Sequence, residues 1–227
     1  MVKKYLHGNR DDQVKLRHNG KPLMPIYTFD GIKPVVHPSA FVHPTAILIG
    51  DVLVGPRCYI GPGASLRGDA GQLVLKEGCN VQDNCVVHSF PGAEMVIEED
   101  GHIGHGAVLH GCRISRNALV GISAVVMDGA VIGASSIIAA MAFIKTGMEV
   151  PPRHLAAGIP AKIVRPLSDK EVAWKRTATA FYHRLAVLSL QTMQETTALA
   201  EAEPDRKPLV IPPLDQLHIA RLEGEAD

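Results

Sequence analysis

Aliphatic side chains recur every six residues through Val42, Leu48, Val54, Ile60 and Leu66, and again through Ile114, Val120, Val126, Ile132, Ile138 and Ile144. A period of six suits neither a 3.6-residue helix nor a simple alternating strand, whereas a parallel β-helix with three flat faces per coil places one buried aliphatic on each face. Four residues after most of these positions stands something small: Ala46, Ala64, Ala118, Ala124, Ala130, Ser136 and Ala142. Gly55, Gly61, Gly104, Gly121 and Gly133 sit near the aliphatics, where a tight corner is expected to leave no room for a Cβ. An α/β sheet would need helical stretches between strands, and the pattern predicts none from Val35 to Lys145. The expectation is a mainly β chain, a parallel β-helix spanning residues 24–166.

Only 4% of the residues are aromatic although 46% are hydrophobic, as a narrow coil with little room for rings requires. The formal charge is zero and dispersed, which argues against a nucleic-acid surface or a basic membrane patch. Cys58, Cys79, Cys85 and Cys112 form no C-x-x-C pair and read as small, reduced, buried hydrophobes. With no apolar run of about 18 residues and no secretory signal pattern, the expected location is the cytoplasm.

The two ends differ from the middle. Residues 1–23, with Lys3, Lys4, Arg10, Lys15, Arg17 and Lys21, carry no hexapeptide register and read as a polar N-terminal extension. Past Pro151, Pro152, Gly158 and Pro160, Ser168 and Glu171 form a capping-box pattern, and Val172, Leu185 and Leu188 supply an apolar stripe. A helix within 167–202, from about Asp169 to Ala200, should therefore pack on the coil. Pro204, Pro208, Pro212 and Pro213 make 203–227 an extended tail that wraps a neighbouring subunit or stays loose.

Of eleven histidines, three have a geometry set by the repeat. His88 follows Val87 and His110 follows Leu109, so both hold the same hexapeptide position, one coil plus a short insertion apart. Stacked coils lie about 4.8 Å apart, close enough for two imidazoles to share one ion. His105, two residues after Ile103, holds a different position and points towards a metal of the next subunit. Spacing alone leaves open both this three-histidine site and plain corner hydrogen bonds. His37 and His43, each before a proline, read as corner residues, and His102 either as a support behind the site or, preferred, as a solvated loop residue. Arg67 with Asp69, and Gln82 with Asp83, lie one to two coils earlier. The charged pair suits an interface ion pair, whereas an amide near a metal suits function.

Leu66-Arg67-Gly68-Asp69, Asn80-Val81-Gln82-Asp83-Asn84, Val87-His88 and the run Gly101-His102-Ile103-Gly104-His105-Gly106-Ala107-Val108-Leu109-His110-Gly111-Cys112 resemble the γ-class carbonic anhydrases and their relatives. The resemblance spans about Met24 to Arg165. It implies a left-handed β-helix, a homotrimer, and zinc, with Fe²⁺ or Co²⁺ as alternatives, held by His88 and His110 of one subunit with His105 of the next. It also implies an Arg67–Asp69 ion pair across the interface and Gln82 beside the metal-bound water. Met24-Pro25-Ile26-Tyr27, the run from Gly121 to Gly133, Ala173-Trp174-Lys175 and Glu203-Pro204-Asp205-Arg206-Lys207-Pro208-Leu209-Val210 are similar to the PaaY/CaiE group of that family.

The phenylacetate-degradation branch of this group implies a thioesterase that cleaves acyl-CoA by a metal-bound hydroxide. Gln82 would orient the nucleophile, Tyr182 would donate to the developing oxyanion or simply pack, and Phe90, on the 89–101 loop, would meet an aromatic acyl group. Carbonic anhydrase chemistry is the main alternative, although Ala70 stands after Asp69 where the best-known γ-class enzyme has a glutamate used in proton transfer. Glu94, Glu98, Glu99 and Asp100 read as a solvated turn. A CoA-dependent acyltransferase, suggested by Gly158-Ile159-Pro160-Ala161-Lys162, and a noncatalytic assembly subunit are further alternatives.

Overall fold

A computed structural model of the protein describes residues 25–208 and, for the backbone alone, the paired short strands Arg17–His18 and Lys21–Pro22. The rest of the N-terminal extension, the solenoid start at Met24 and the tail from 209 onward lie outside the described residues. The aliphatic repeat becomes seven coils of parallel strand, with in-register pairing such as Phe41↔Tyr59, Asn80↔His102 and Leu119↔Ile137 on one face. A second face stacks Ser65, Val86, Val108, Val125 and Phe143, and a third stacks Val74, Val96, Arg113, Val131 and Glu149. No helix interrupts the coil.

The side chains that recur at six residues point inward together. Leu48, Ile60, Leu66, Val87, Ile103, Leu109, Ile114 and Ile132 are all at 0% exposure in one continuous cluster. Full burial of each such side chain is worth about 1.5–3 kcal/mol, so the stack itself holds the fold. Ala46, Ala64, Ala118, Ala124 and Ala130 line the same core, and the four cysteines are free and buried there.

The corner glycines keep their place for a different reason from tight turning. A Cβ on Gly121 would lie 2.5 Å from the Ala140 backbone nitrogen, so the next coil excludes a side chain. The left-handed backbone falls on another column instead: Gly63, Asn84, Gly106, Ser123 and Met141, with φ from +55° to +68°.

The C-terminal helix runs over Asp169–Thr192 and starts with the expected box, the Ser168 hydroxyl accepting from Glu171 N and the Glu171 carboxylate from Ser168 N. It stops well short of Ala200 because its buried face stops: Ser189 is its last buried residue, and everything from 190 to 208 is exposed. That face follows the expected stripe at Val172 and Leu185 and departs from it at Leu188. Val172, Lys175, Thr179, Ala186 and Ser189 are buried, whereas Leu188 is exposed. The helix lies on the first face, where Ala186, Tyr182 and Leu185 pack against Phe41 and Tyr59.

The acidic stretch is not a solvated turn, Glu94 apart. Glu98 pairs with Arg113, Glu99 with Lys76 and Arg116, and Asp100 with His183. These carboxylates tie neighbouring coils and the helix together.

Candidate functional site

His88 and His110 end adjacent strands in direct register, and their rings stand on the outer side of the second face. His88 Nδ1 lies 3.2 Å from His110 Nε2. The remaining nitrogen of each ring meets a carboxylate: His88 Nε2 is 2.9 Å from Asp69 Oδ1, and His110 Nδ1 is held by Asp128 Oδ1. Asp69 also accepts from Arg67 Nε at 3.0 Å within the same chain, a pairing that alternation along one strand allows. Burial pushes the Asp69 carboxyl up, but the hydrogen bonds from Arg67 and His88 outweigh it and hold it below its ordinary value. Phe90 lies near-parallel to the His110 ring at 6.4 Å between centroids, and is 40% exposed. Gly111 gives Phe90 and Asp128 their room, since a Cβ there would lie 2.5 Å from the Phe90 ring.

His105 stands elsewhere, at the corner before the Val108–His110 strand. Its Nδ1 is 3.0 Å from Asp83 Oδ2 on the coil above, where Gly106 N donates to Asp83 O. His105 and Gly106 make the turn that leads into this strand, His110 ends it, and among the described residues His105 pairs with Asp83 rather than with either of the other two histidines. Within one chain His105 therefore does not reach the other two. Among the described residues no three His, Cys, Asp or Glu side chains of one chain are placed to hold a metal ion together.

Gln82 shares the His105 corner and is 3% exposed. Its amide nitrogen donates to Asn80 Oδ1 at 2.9 Å and lies 2.7 Å from His102 Nε2. An amide nitrogen only donates, so the facing ring nitrogen accepts, and His102 Nδ1–H is left to donate to Thr179 Oγ1 at 3.4 Å. Burial drives His102 down to about 3, with the charges of Lys175 and His105 acting in the same direction, so the ring is neutral as this bond requires. Tyr182 packs edge-on against His102 at 5.3 Å and on Tyr59 at 5.3 Å. Burial raises its hydroxyl above the ordinary tyrosine value, as do Tyr59 and Asp83.

The structure thus joins His88, His110, Asp69, Arg67 and Phe90 in one cluster, and Gln82, Tyr182, Asp83 and His105 at another corner. His37 and His43 are corner residues, bonded to Ser39 and Thr45. His102 corrects the expectation of a solvated histidine: it is 7% exposed because the helix covers it. Asp128, Asn80 and Thr179 were not singled out from the sequence. Asp128 alone had a signal, standing one 18-residue coil after His110.

The donor set fits a divalent ion. Two nitrogens bound to one tetrahedral zinc at about 2.0–2.1 Å would lie roughly 3.3 Å apart, close to the separation of His88 and His110. All three imidazoles turn one nitrogen to a carboxylate, the pattern by which ligand histidines are oriented, and the second nitrogens of His88 and His110 face each other.

Seven hexapeptide coils closed by a helix define a left-handed parallel β-helix protein of the hexapeptide-repeat class. No family model matches the chain. The carnitine operon protein CaiE of Escherichia coli (strain K12) is 52% identical over 183 residues, covering 81% of this chain and 93% of that protein. The CaiE of Proteus sp. (strain LE138) is 51% identical over the same shares. The chain belongs to the CaiE family. Among solved structures, a hexapeptide transferase family protein from Anaplasma phagocytophilum matches with a TM-score of 0.69 and 36% identity, covering 71% of this chain and 96% of that one. A Bacillus cereus protein provisionally assigned as an acetyltransferase matches with a TM-score of 0.70 and 33% identity, covering 71% and 94%. No helix among the described residues is long and apolar enough to cross a membrane.

Proposed function

We propose that this protein is a metal-dependent acyl-CoA thioesterase, akin to the phenylacetic acid degradation protein PaaY, acting as a homotrimer. The observation that carries this reading is the set of three carboxylate-oriented imidazoles, two of which bring their second nitrogens to 3.2 Å from each other. His88 and His110 of one subunit with His105 of the partner subunit would hold Zn²⁺, or Fe²⁺ or Co²⁺ in its place. Such an ion supplies Lewis acidity, polarising a carbonyl and acidifying water near neutral pH.

The chain's own residues supply the rest. Gln82 commits its amide nitrogen to Asn80 and His102, so its carbonyl oxygen is the group left to accept from and orient the attacking water. Tyr182 keeps its proton and is a donor for the oxyanion that develops at the thioester carbonyl. Phe90 presents a half-exposed ring face to an aromatic acyl group. Hydrolysis then releases the free acid and the CoA thiol.

Acyl transfer is the second reading, favoured by the transferase descriptions of the two structural relatives. Hydration of CO2 by the same ion is the third. Metal-loaded protein, assayed for release of free CoA from aromatic, aliphatic and carnitine-derived acyl-CoAs, distinguishes all three when run with and without an amine or alcohol acceptor and beside CO2 hydration. The expected result is CoA release with water alone, fastest for aromatic acyl groups. CoA release that needs an acceptor would make it a transferase. No release, beside CO2 hydration at an enzymic rate, would make it a carbonic anhydrase.

A further inference from the structure

A cleft of about 390 Å³ opens between the helix and two coil corners, lined by Asp100, Arg116, Asn117, Arg176, Thr179 and His183. Behind two of these lining residues, Asp100 and Asn117, lies a buried amine. Lys175 is 1% exposed, and its ammonium donates to the Asp100 carbonyl at 2.6 Å and to Asn117 Oδ1 at 2.8 Å, both uncharged acceptors. Buried charges are normally paired, because neutral dipoles offset only part of the desolvation cost. The nearby Asp100 carboxylate is already engaged by His183 at 3.3 Å. Burial accordingly pulls Lys175 down to about 7, with Arg176 acting in the same direction and Asp100 against it.

The walls add to the imbalance. Arg176 has no carboxylate partner among the described residues, and Arg116 reaches only Glu99, at 3.5 Å, which Lys76 also approaches at 3.7 Å. Three cationic or cation-capable groups, Arg116, Arg176 and His183, therefore line the cleft with a fourth, Lys175, buried behind it, against one committed carboxylate and one shared carboxylate. We infer that this cleft binds a phosphate-ester anion, which would occupy the guanidinium groups of Arg116 and Arg176 and add negative charge in front of buried Lys175. A phosphate suits the cleft better than a carboxylate, since two planar guanidinium forks offer more donors than two oxygens accept. The volume is at the small end of the range that takes a metabolite.

The site stands on the cleft alone and does not require the thioesterase reading. Isothermal titration of the full-length protein with inorganic phosphate, adenosine 3′,5′-bisphosphate, CoA and dephospho-CoA tests it. Adenosine 3′,5′-bisphosphate should bind once per chain, and Arg176→Gln or Arg116→Gln should weaken it about tenfold or more. Tighter binding of CoA than of dephospho-CoA would identify the 3′-phosphate of CoA as the occupant, and equal binding of inorganic phosphate would identify a separate ion. Lys175→Met should lose affinity too, and if it fails to fold the arginine variants still decide. No binding by any probe at millimolar concentration, or unchanged affinity in Arg176→Gln, overturns the inference, whatever the thioesterase assay shows.

Discussion

Gln82 is fixed from behind. Asn80 and His102 hold its amide nitrogen, Thr179 holds His102, and the helix covers all of them, so one orientation of the amide is built into the packing. Gln82→Ala should reduce thioester turnover by about 10- to 100-fold while elemental analysis finds metal content near normal. Loss of metal in that variant would return Gln82 to a structural role. His102 adds a pH dependence whose sign is fixed by its depressed value. Between pH 6.5 and about 3 the unfolded chain protonates this ring and the folded one does not, so the contribution to stability is present above 6.5 and lost as pH falls. At about 1.4 kcal/mol per pH unit the loss amounts to several kcal/mol. Urea unfolding across that window should show the slope, and His102→Gln should flatten it. The shared register of His88 and His110 was legible in the sequence because both lie on one strand position. The burial of His102 was not, because the residue that covers it, Thr179, is 77 positions away.

The helix shows why an element can be found correctly and its face misread. Ser168 and Glu171 mark its start unambiguously, and Arg165 adds two contacts to the same carboxylate, at 2.8 and 3.0 Å. The Arg165 hydrogen bond, with help from Ser168, holds Glu171 down to about 2 against the opposing effect of burial. Its far end and part of its buried side escaped, although Val172 and Leu185 pack as expected, because the rest of the face on the coil is largely polar: Lys175, Thr179 and Ser189 are buried while Val187, Leu188 and Leu190 face outward. Hydrophobic periodicity reports only apolar burial, and here hydrogen bonds from Lys175, His183 and His102 do much of the fastening. Ser168→Ala should cost about 1 kcal/mol. Hydrogen exchange should place that loss in Asp169–Thr192 and leave the coil amides protected, since the coil's ladder is independent of the cap. Uniform loss of protection across the solenoid would instead make the helix part of one cooperative unit with it.

At the scale of the whole molecule, stability and chemistry occupy different parts of the coil. The aliphatic stack is continuous from Ala40 to Ala161 and includes none of the three histidines, so His88→Ala and His110→Ala should each lose bound metal while circular dichroism keeps the β-helix signal. The sequence exposed this stack fully, because a six-residue period has few other solutions; it could not expose how subunits meet, because no repeat encodes a partner's position. The separation of His105 from His88 and His110 makes the assembly testable. One chain holds His105 at the corner before the strand that His110 ends, apart from the His88 and His110 pair, so under the proposed reading a complete set would form where the His105 corner of one subunit meets the His88 and His110 edge of another. His105→Ala and His110→Ala homotrimers should each be inactive. In a mixed trimer, however, an interface that pairs the His105 edge of the His110→Ala chain with the His88 and His110 edge of the His105→Ala chain contains only intact ligands. Co-refolding the two inactive proteins should therefore restore a fraction of wild-type CoA release, scaling with the mixed species resolved by native mass spectrometry. Verified mixed trimers with no regained activity would mean that each site is contained within one chain.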